Sequence, residues 1–317
     1  MSEVSWLPSA SIQLLRSRAE LISKIRQFFI ERRYLEVETP VMARYGVTDV
    51  YLSNIKAFFR GETYYLQTSP EYHMKRLLAA GSGPIFQLAR VFRDDELGRW
   101  HNPEFTLLEW YQLNINHYDL MDEVDLLLQT ILQSRPMIKK TYQQIFLEVC
   151  MMDPFTASIE QLKKVLIQHH LDKVLSPQEQ DIDQYLFLLM SHMVEPFLAQ
   201  ESAPVAIYNF PSSQASLAQV REGVAERFEV YYQGVELANG FHELTDVEAQ
   251  KKRFIQDQQH RIQKGLMAMD ADRYLLEALE HGLPSCSGVA LGVDRLLALA
   301  LKQPRIANVF SFDFSRS

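Results

Sequence analysis

An α+β fold built around an antiparallel sheet is predicted by three observations. Strand-like runs follow one another through tight turns, helical stretches come in blocks, and the two do not alternate as a parallel doubly wound sheet requires. The 317 residues, 47% apolar and 23% charged, have the usage of an ordinary globular chain with a sizeable core.

Residues 11–33 place Leu15, Ala19, Ile22, Ile25 and Phe29 at three- and four-residue spacing, which predicts an amphipathic helix. A strand at Tyr64–Gln67 precedes a helix over 72–80. Its start is written by Ser69 as N-cap, Pro70 at the first helical position and Glu71 complementing the dipole. Strands follow at Ile85–Phe92 and Phe105–Tyr111, then a helix over 117–133. A helical stretch over 158–199 is broken near Ser176-Pro177. Val205–Phe210 and the segment EVYYQGVELANGFHEL (229–244) supply further strands. Helices over 246–264 and 272–281 come next, the second closed by Gly282 and Pro284. Val289–Leu291 is a last strand, leading into an apolar helix at Asp294-Arg295.

Several function classes are disfavoured. The opening segment MSEVSWLPSASIQLL has no basic region followed by an apolar one, and no run of about 18 apolar residues occurs, so a soluble cytoplasmic protein is expected. Cys150 and Cys286 stand alone, which predicts packed thiols rather than a disulfide framework or zinc ligands. A net charge of −8 with scattered Lys and Arg argues against a surface that tracks nucleic-acid phosphates.

Three segments carry chemistry. In the first, a two-residue loop at Gln233-Gly234 sets Tyr232 opposite Val235 and Tyr231 opposite Glu236, with Glu229 diagonal to Glu236. Phe228, Val230, Tyr232, Val235 and Leu237 then form the apolar face. Diagonal neighbours lie about 7–8 Å apart at the backbone, so the two carboxylates can converge on a divalent cation, or the face is simply solvated. In the second, RVFRDDELGRWHNPEF, Arg93 leaves one strand and Phe105, Leu107, Glu109 and Tyr111 share a face of the next. An arginine facing an aromatic there can hold a phosphate while the ring stacks on a base; a surface ion pair of Arg93 with Asp94 or Asp95 is the alternative. In the third, SGVALGVDRLLALAL, glycines bracket a strand, and Arg295 sits in a helical first turn, where its sign opposes the dipole and calls for an anionic partner.

In order and spacing these segments resemble the signature motifs of class II aminoacyl-tRNA synthetases, most closely the lysyl branch. YLEVETPVM (34–42) resembles motif 1, FRDDELGRWHNPEF motif 2 and GVALGVDR motif 3; TSPEYHMKRLL and GVELANGFHEL also match lysyl enzymes. The resemblance runs from about residue 11 to 312 and implies a class II synthetase-like antiparallel sheet flanked by helices. Lysyl-tRNA synthetases carry an anticodon-binding OB domain before motif 1, and here about 33 residues precede it. A single catalytic domain over 1–317 is therefore expected, with 134–200 a largely helical insertion. Such a chain is similar to the elongation factor P lysine ligase family, which joins (R)-β-lysine to a lysine of elongation factor P using ATP.

That resemblance assigns roles. Glu229 and Glu236 would hold Mg²⁺ on ATP. Arg93 would bridge the substrate carboxylate and the α-phosphate, and Arg295 would meet the γ-phosphate. Phe105 would stack on adenine near Asn102, with Asp94, Asp95, Leu237 and Gly292 also around ATP. Ser69, Pro70, Glu71, Tyr111, Asn239, Glu243 and Ala290 would surround the amino acid. Where lysyl enzymes have Arg-x-Glu, this chain has Arg93-Asp94-Asp95. Trp100 and His242 also depart from the lysyl pattern. Ala290 replaces a glycine, and its methyl group would disfavour an α-amine while tolerating a β-amine. The same resemblance implies the partners: elongation factor P, (R)-β-lysine, no tRNA, no membrane and a homodimer built on motif 1. A truncated lysyl-tRNA synthetase and an inactive regulatory paralogue are the alternatives.

Overall fold

The computed structural model describes residues 6–94 and 97–317. They pack as two compact units, one comprising residues up to Asn116 with Thr130–Leu132 and Glu243–Ser317, the other His117–Gln129 and Gln133–His242. The first runs through α1 (Ile12–Glu31), β1 (Leu35–Glu36), β2 (Met42–Ala43), β3 (Lys56–Phe59), β4 (Glu62–Leu66), α2 (Glu71–Ala79), β5 (Ile85–Phe92) and β6 (Glu104–Leu113). The chain continues with α3 (His117–Leu132), β7 (Ile138–Thr141), α4 (Tyr142–Cys150), α5 (Ile159–Gln168), α6 (Ile182–Leu189), α7 (Glu195–Leu198), β8 (Val205–Pro211), β9 (Val220–Arg221), β10 (Val224–Tyr232) and β11 (Val235–His242). It then returns to the first unit as α8 (Val247–Gln263), α9 (Arg273–Gly282), β12 (Cys286–Gly292) and α10 (Val293–Ala300).

In the first unit β6 is the central strand. It pairs antiparallel with β5, from Ile85 opposite Tyr111 to Phe92 opposite Glu104, and with β12, from Cys286 opposite Leu113 to Gly292 opposite Leu107. Strand alternation then divides the labour. Phe86 and Trp110 point to α1, where Phe29 stacks on Phe86 at 4.7 Å and meets Trp110 edge-on at 5.1 Å. Each such pair adds about 0.5–1.5 kcal/mol beyond burial. The other face carries Gln87, Ala89, Val91, Phe105, Leu107, Glu109, Tyr111, Gly288, Ala290 and Gly292 in register, and it is the floor of the candidate site.

The second unit is organised on β10, paired antiparallel with β8, β9 and β11. Its core gathers Tyr142, Phe146, Leu162, Tyr185, Leu189 and Phe210. Gln233 and Gly234 both have left-handed φ, 52° and 74°, so the β10–β11 loop is the two-residue type I′ turn that suits strand twist. A Cβ on Gly234 would come within 2.8 Å of the Ala199 Cβ, so only glycine fits.

The antiparallel α+β expectation holds; among the described pairings, parallel ones are those of the short strands β1 and β7 with β5 and β8. Two local expectations need correction. Helix α4 was not anticipated, and the stretch over 158–199 is shorter helices with a gap over 169–181. Its last part carries a π-helical turn, Met190–Val194, just before Pro196, whose missing N–H removes one ordinary helical bond. Both cysteines are free and buried, as predicted.

Candidate active site

Helix α2 begins beside the floor of the first unit. Pro70 occupies its N-cap position, one residue later than expected, and the Glu71 N–H donates to Ser69 Oγ at 3.0 Å. The same hydroxyl donates to Glu109 Oε2 at 2.7 Å. Ser69 therefore ends the loop and reaches the site at once. One turn into α2, Lys75 is almost fully buried, with its ammonium 2.7 Å from Glu71 Oε1 and 2.6 Å from Glu243 Oε2. Tyr111 donates to Glu109 Oε1 at 2.6 Å.

Three carboxylates and one ammonium thus share a cluster in which Glu109, Glu243 and Lys75 are buried and Glu71 is partly exposed, and their protonation reflects it. Burial pushes Glu109 up to about 7, with the Glu71 charge adding to the rise. Burial likewise pushes Glu243 up to about 8; Lys75 opposes the rise and Glu71 adds to it. Burial works against the Lys75 ammonium, but the charges of Glu243 and Glu71 outweigh it and hold its pKa above the ordinary lysine value. Gly288 completes the cluster by omission. A Cβ there would lie 2.2 Å from the Tyr111 ring and 2.6 Å from Glu243 Oε1. Gly288 thus lets a protein side chain approach the backbone closely.

At the other end of β6, the Arg93 guanidinium lies 5.1 Å from the centre of the Phe105 ring, the arginine–aromatic pairing anticipated from sequence. Phe105 and Ala290 both pack on Ala89, Val91 and Leu107, and Ala290 stands opposite Glu109. The Ala290 methyl is therefore part of the floor between the aromatic and the acid. Asn102 is buried, and its side chain braces the loop, donating to the Glu104 carbonyl at 2.6 Å and accepting from the Phe314 N–H at 3.1 Å. Arg295 donates to the Trp100 carbonyl at 3.1 Å and lies 2.7 Å from His101 Nε2. Its neighbour Asp294 pairs with Arg18 at 2.6 Å and accepts from the Thr106 N–H at 2.7 Å, fixing the start of α10 to β6. A side chain at Gly292 would make only ordinary contact with Arg295. Asp94 is exposed, its N–H bonded to the Ser53 carbonyl at 3.0 Å; Asp95 lies outside the described residues.

In the second unit, Tyr231 stands opposite Glu236 as parity predicted, but the next pair is Val230 with Ala238. Leu237 is the extra residue of a β-bulge. Strict alternation past Glu236 would group Asn239 with Val235; the bulge pairs it with Glu229 instead. Arg227 Nε donates to Asn239 Oδ1 at 3.2 Å, and Glu229 accepts from both Arg227 and the Tyr231 hydroxyl. Burial raises the Glu229 pKa, Arg227 opposes the rise, and the Glu236 charge adds to it, so the two glutamates sense one another. Two carboxylates on one face form a hard oxygen donor set of a kind that fits Mg²⁺, and Glu229 also accepts from Arg227. Leu237 itself is buried.

The family model for tRNA synthetases class II (D, K and N) matches residues 5–316. The chain belongs to that family. Among the relatives of this class II synthetase are proteins named elongation factor P–(R)-beta-lysine ligase. One from Vibrio atlanticus is 49% identical over 99% of each chain, and one from Pasteurella multocida is 51% identical over 97% of each. A third, from Edwardsiella ictaluri, is 51% identical over 99% of this chain and 98% of its own. In this class II synthetase the sequence reading missed Lys75 and Arg227. Lys75 had a signal, since it lies four residues after Glu71 on one helix face; Arg227 had none apart from its place two residues before Glu229.

Proposed function

We propose that this chain is an AMP-forming ligase that activates (R)-β-lysine with ATP and transfers it to the ε-amine of a lysine on elongation factor P. The observation that carries this reading is the buried cluster of Glu71, Glu109 and Glu243 around Lys75. Three carboxylates against one ammonium leave two negative charges when all are ionised, which matches a ligand bearing two ammonium groups. The relatives that share half of its residues over nearly their whole length carry the ligase name.

Arg93 would hold the substrate carboxylate in line with the α-phosphate while Phe105 stacks on adenine. Arg295 would neutralise charge on the γ-phosphate, with Gly292, Leu237, Asn102 and Asp94 lining the nucleotide. Glu229 and Glu236 would hold Mg²⁺, which supplies charge neutralisation on the phosphates. Ser69, Pro70, Glu71, Tyr111, Glu243 and Asn239 would orient the amino acid. Attack of the acceptor amine on the mixed anhydride breaks its acyl–phosphate bond and releases AMP. The Ala290 methyl on the floor would disfavour the α-amine, so Ala290→Gly is expected to shift the ratio of α-lysine to β-lysine activation toward α-lysine; an unchanged ratio refutes that role.

A homodimer is part of the proposal, with the exposed apolar side chains Ile30, Leu35, Val41 and Met42 around motif 1 available for a two-fold contact. No helix among the described residues is long and apolar enough to cross a membrane, which agrees with work in the cytoplasm on a translation factor. The test is pyrophosphate exchange with (R)-β-lysine and with α-lysine, followed by transfer assays to elongation factor P and to tRNA. Exchange that favours (R)-β-lysine and a mass increase on elongation factor P are expected. Lysyl-tRNA formed at a comparable rate, or exchange with neither lysine, would overturn the reading.

A further inference from the structure

A second cluster of ligating side chains lies wholly in the second unit and takes no part in the chemistry above. His117 opens α3, Glu226 lies on β10 and His242 ends β11, and one ligating atom of each lies within 4.8 Å of the other two. Each is held by its own partner. His117 Nε2 is 3.1 Å from Asn209 Oδ1, an arrangement in which Nε2 carries the proton and Nδ1 keeps its lone pair. His117 is only 2% exposed, and its Nδ1 is buried without a hydrogen-bond partner. Asn209 occupies left-handed backbone, φ 61°, at a strand position, and its amide also donates to the Tyr118 hydroxyl at 3.2 Å. That conformation coincides with the break in β8–β10 register between Ala225 and Phe228, which frees Asn209 from regular pairing.

The other two residues are equally fixed. His242 Nδ1 contacts Glu226 Oε2, while Arg221 donates to Glu226 Oε1 at 3.1 Å. The Gln219 side-chain amide lies 3.4 Å from His242 Nε2. The Gln219 N–H donates to the His242 carbonyl at 2.8 Å and its carbonyl accepts from the Glu226 N–H at 2.9 Å, so backbone bonds tie both ligands to one residue.

We propose that His117, Glu226 and His242 bind a transition-metal ion of the Zn²⁺ class. Two imidazoles and one carboxylate form a nitrogen-rich, borderline donor set suited to Zn²⁺ or Co²⁺ and unsuited to Mg²⁺. Binding would replace the His242–Glu226 contact with bonds to the ion and take up the His117 Nδ1 lone pair. Asn209 on one imidazole and Arg221 on the carboxylate then serve as the outer hydrogen bonds that orient metal ligands. Three protein ligands leave a fourth position for water. The ion would pin the start of α3 to β10 and to the end of β11, the residue just before Glu243.

The test is a Co²⁺ titration of the chelator-treated full chain in excess Mg²⁺, which occupies all-oxygen sites. One Co²⁺ per chain with the intense d–d absorption of a four-coordinate site, displaced by Zn²⁺, is expected. His117→Gln and Glu226→Gln should each weaken binding by at least ~10-fold, since even outer-shell losses cost that much. Absence of the band in the unaltered chain, or variants that bind Co²⁺ as tightly as the unaltered chain does, overturns the proposal. X-ray absorption of the Zn²⁺-loaded unaltered chain decides the matter without a variant: a shell with two imidazoles supports the site, and one without imidazole refutes it.

Discussion

At the scale of single residues, the site depends on one lysine and one glycine that do opposite things. Lys75 fills space with charge. Replacing it by Met leaves Glu243 buried without its counter-ion, and breaking a buried pair on one side costs about 3–5 kcal/mol. Urea denaturation of Lys75→Met above about pH 8, where Glu243 is ionised, should show a loss of that size, and Lys75→Met with Glu243→Leu should recover part of it. Gly288 leaves space empty, for the Tyr111 ring. Gly288→Ala would put a Cβ 2.2 Å from that ring, so amino-acid KM in pyrophosphate exchange should rise at least ~10-fold as Tyr111 is displaced. Glu71, Glu243 and Tyr111 were legible in the sequence because their types and motif context name them. Lys75 was passed over despite its four-residue spacing from Glu71, because a lysine on an amphipathic helix ordinarily faces water.

At the scale of elements, the β10–β11 hairpin shows what sequence patterning can and cannot specify. Gln233-Gly234 announces the turn, and the observed left-handed φ values agree with it. Asparagine is better than glutamine at the first position of a type I′ turn. Gln233→Asn should therefore stabilise the protein by about 0.5 kcal/mol, and Gly234→Ala should destabilise it by about 1–3 kcal/mol through strain and the Ala199 contact; thermal melting would read both. The bulge at Leu237 was invisible, since leucine carries no bulge signal and alternation looks intact up to Glu236. Helix α4 did have one: Thr141 and Gln144 form a reciprocal capping box, a pattern the nine-residue helix obeys and a periodicity search passes over. Strands β5 and β6 were found almost to their ends because apolar residues dominate both faces, interrupted by Gln87 and Arg90 in β5 and by Thr106 and Glu109 in β6.

At the scale of the whole molecule, the antiparallel α+β class was legible from element order, whereas the division into two compact units was not, since no change of composition marks Asn116 or Glu243. Protons bound by the buried cluster set the pH response. Glu109 and Glu243, raised by burial to about 7 and about 8 from 4.5, hold protons in the folded state that the unfolded chain has already released. Stability of the ligand-free protein should therefore fall as pH rises from about 4.5 to about 8, the sense opposite to that of a salt-bridged carboxylate with a lowered pKa. A ligand with two ammonium groups should drive those protons off. Calorimetry at pH 7 in buffers of different ionisation heat should detect proton release on binding of (R)-β-lysine, and affinity should increase with pH up to about 8. The internal ammonium of Lys75 has one more effect, on selectivity. A neutral-tailed analogue such as a β-amino acid with a butyl end would match (R)-β-lysine in size yet supply one positive charge too few. Discrimination against it would come from counting charges rather than from measuring length.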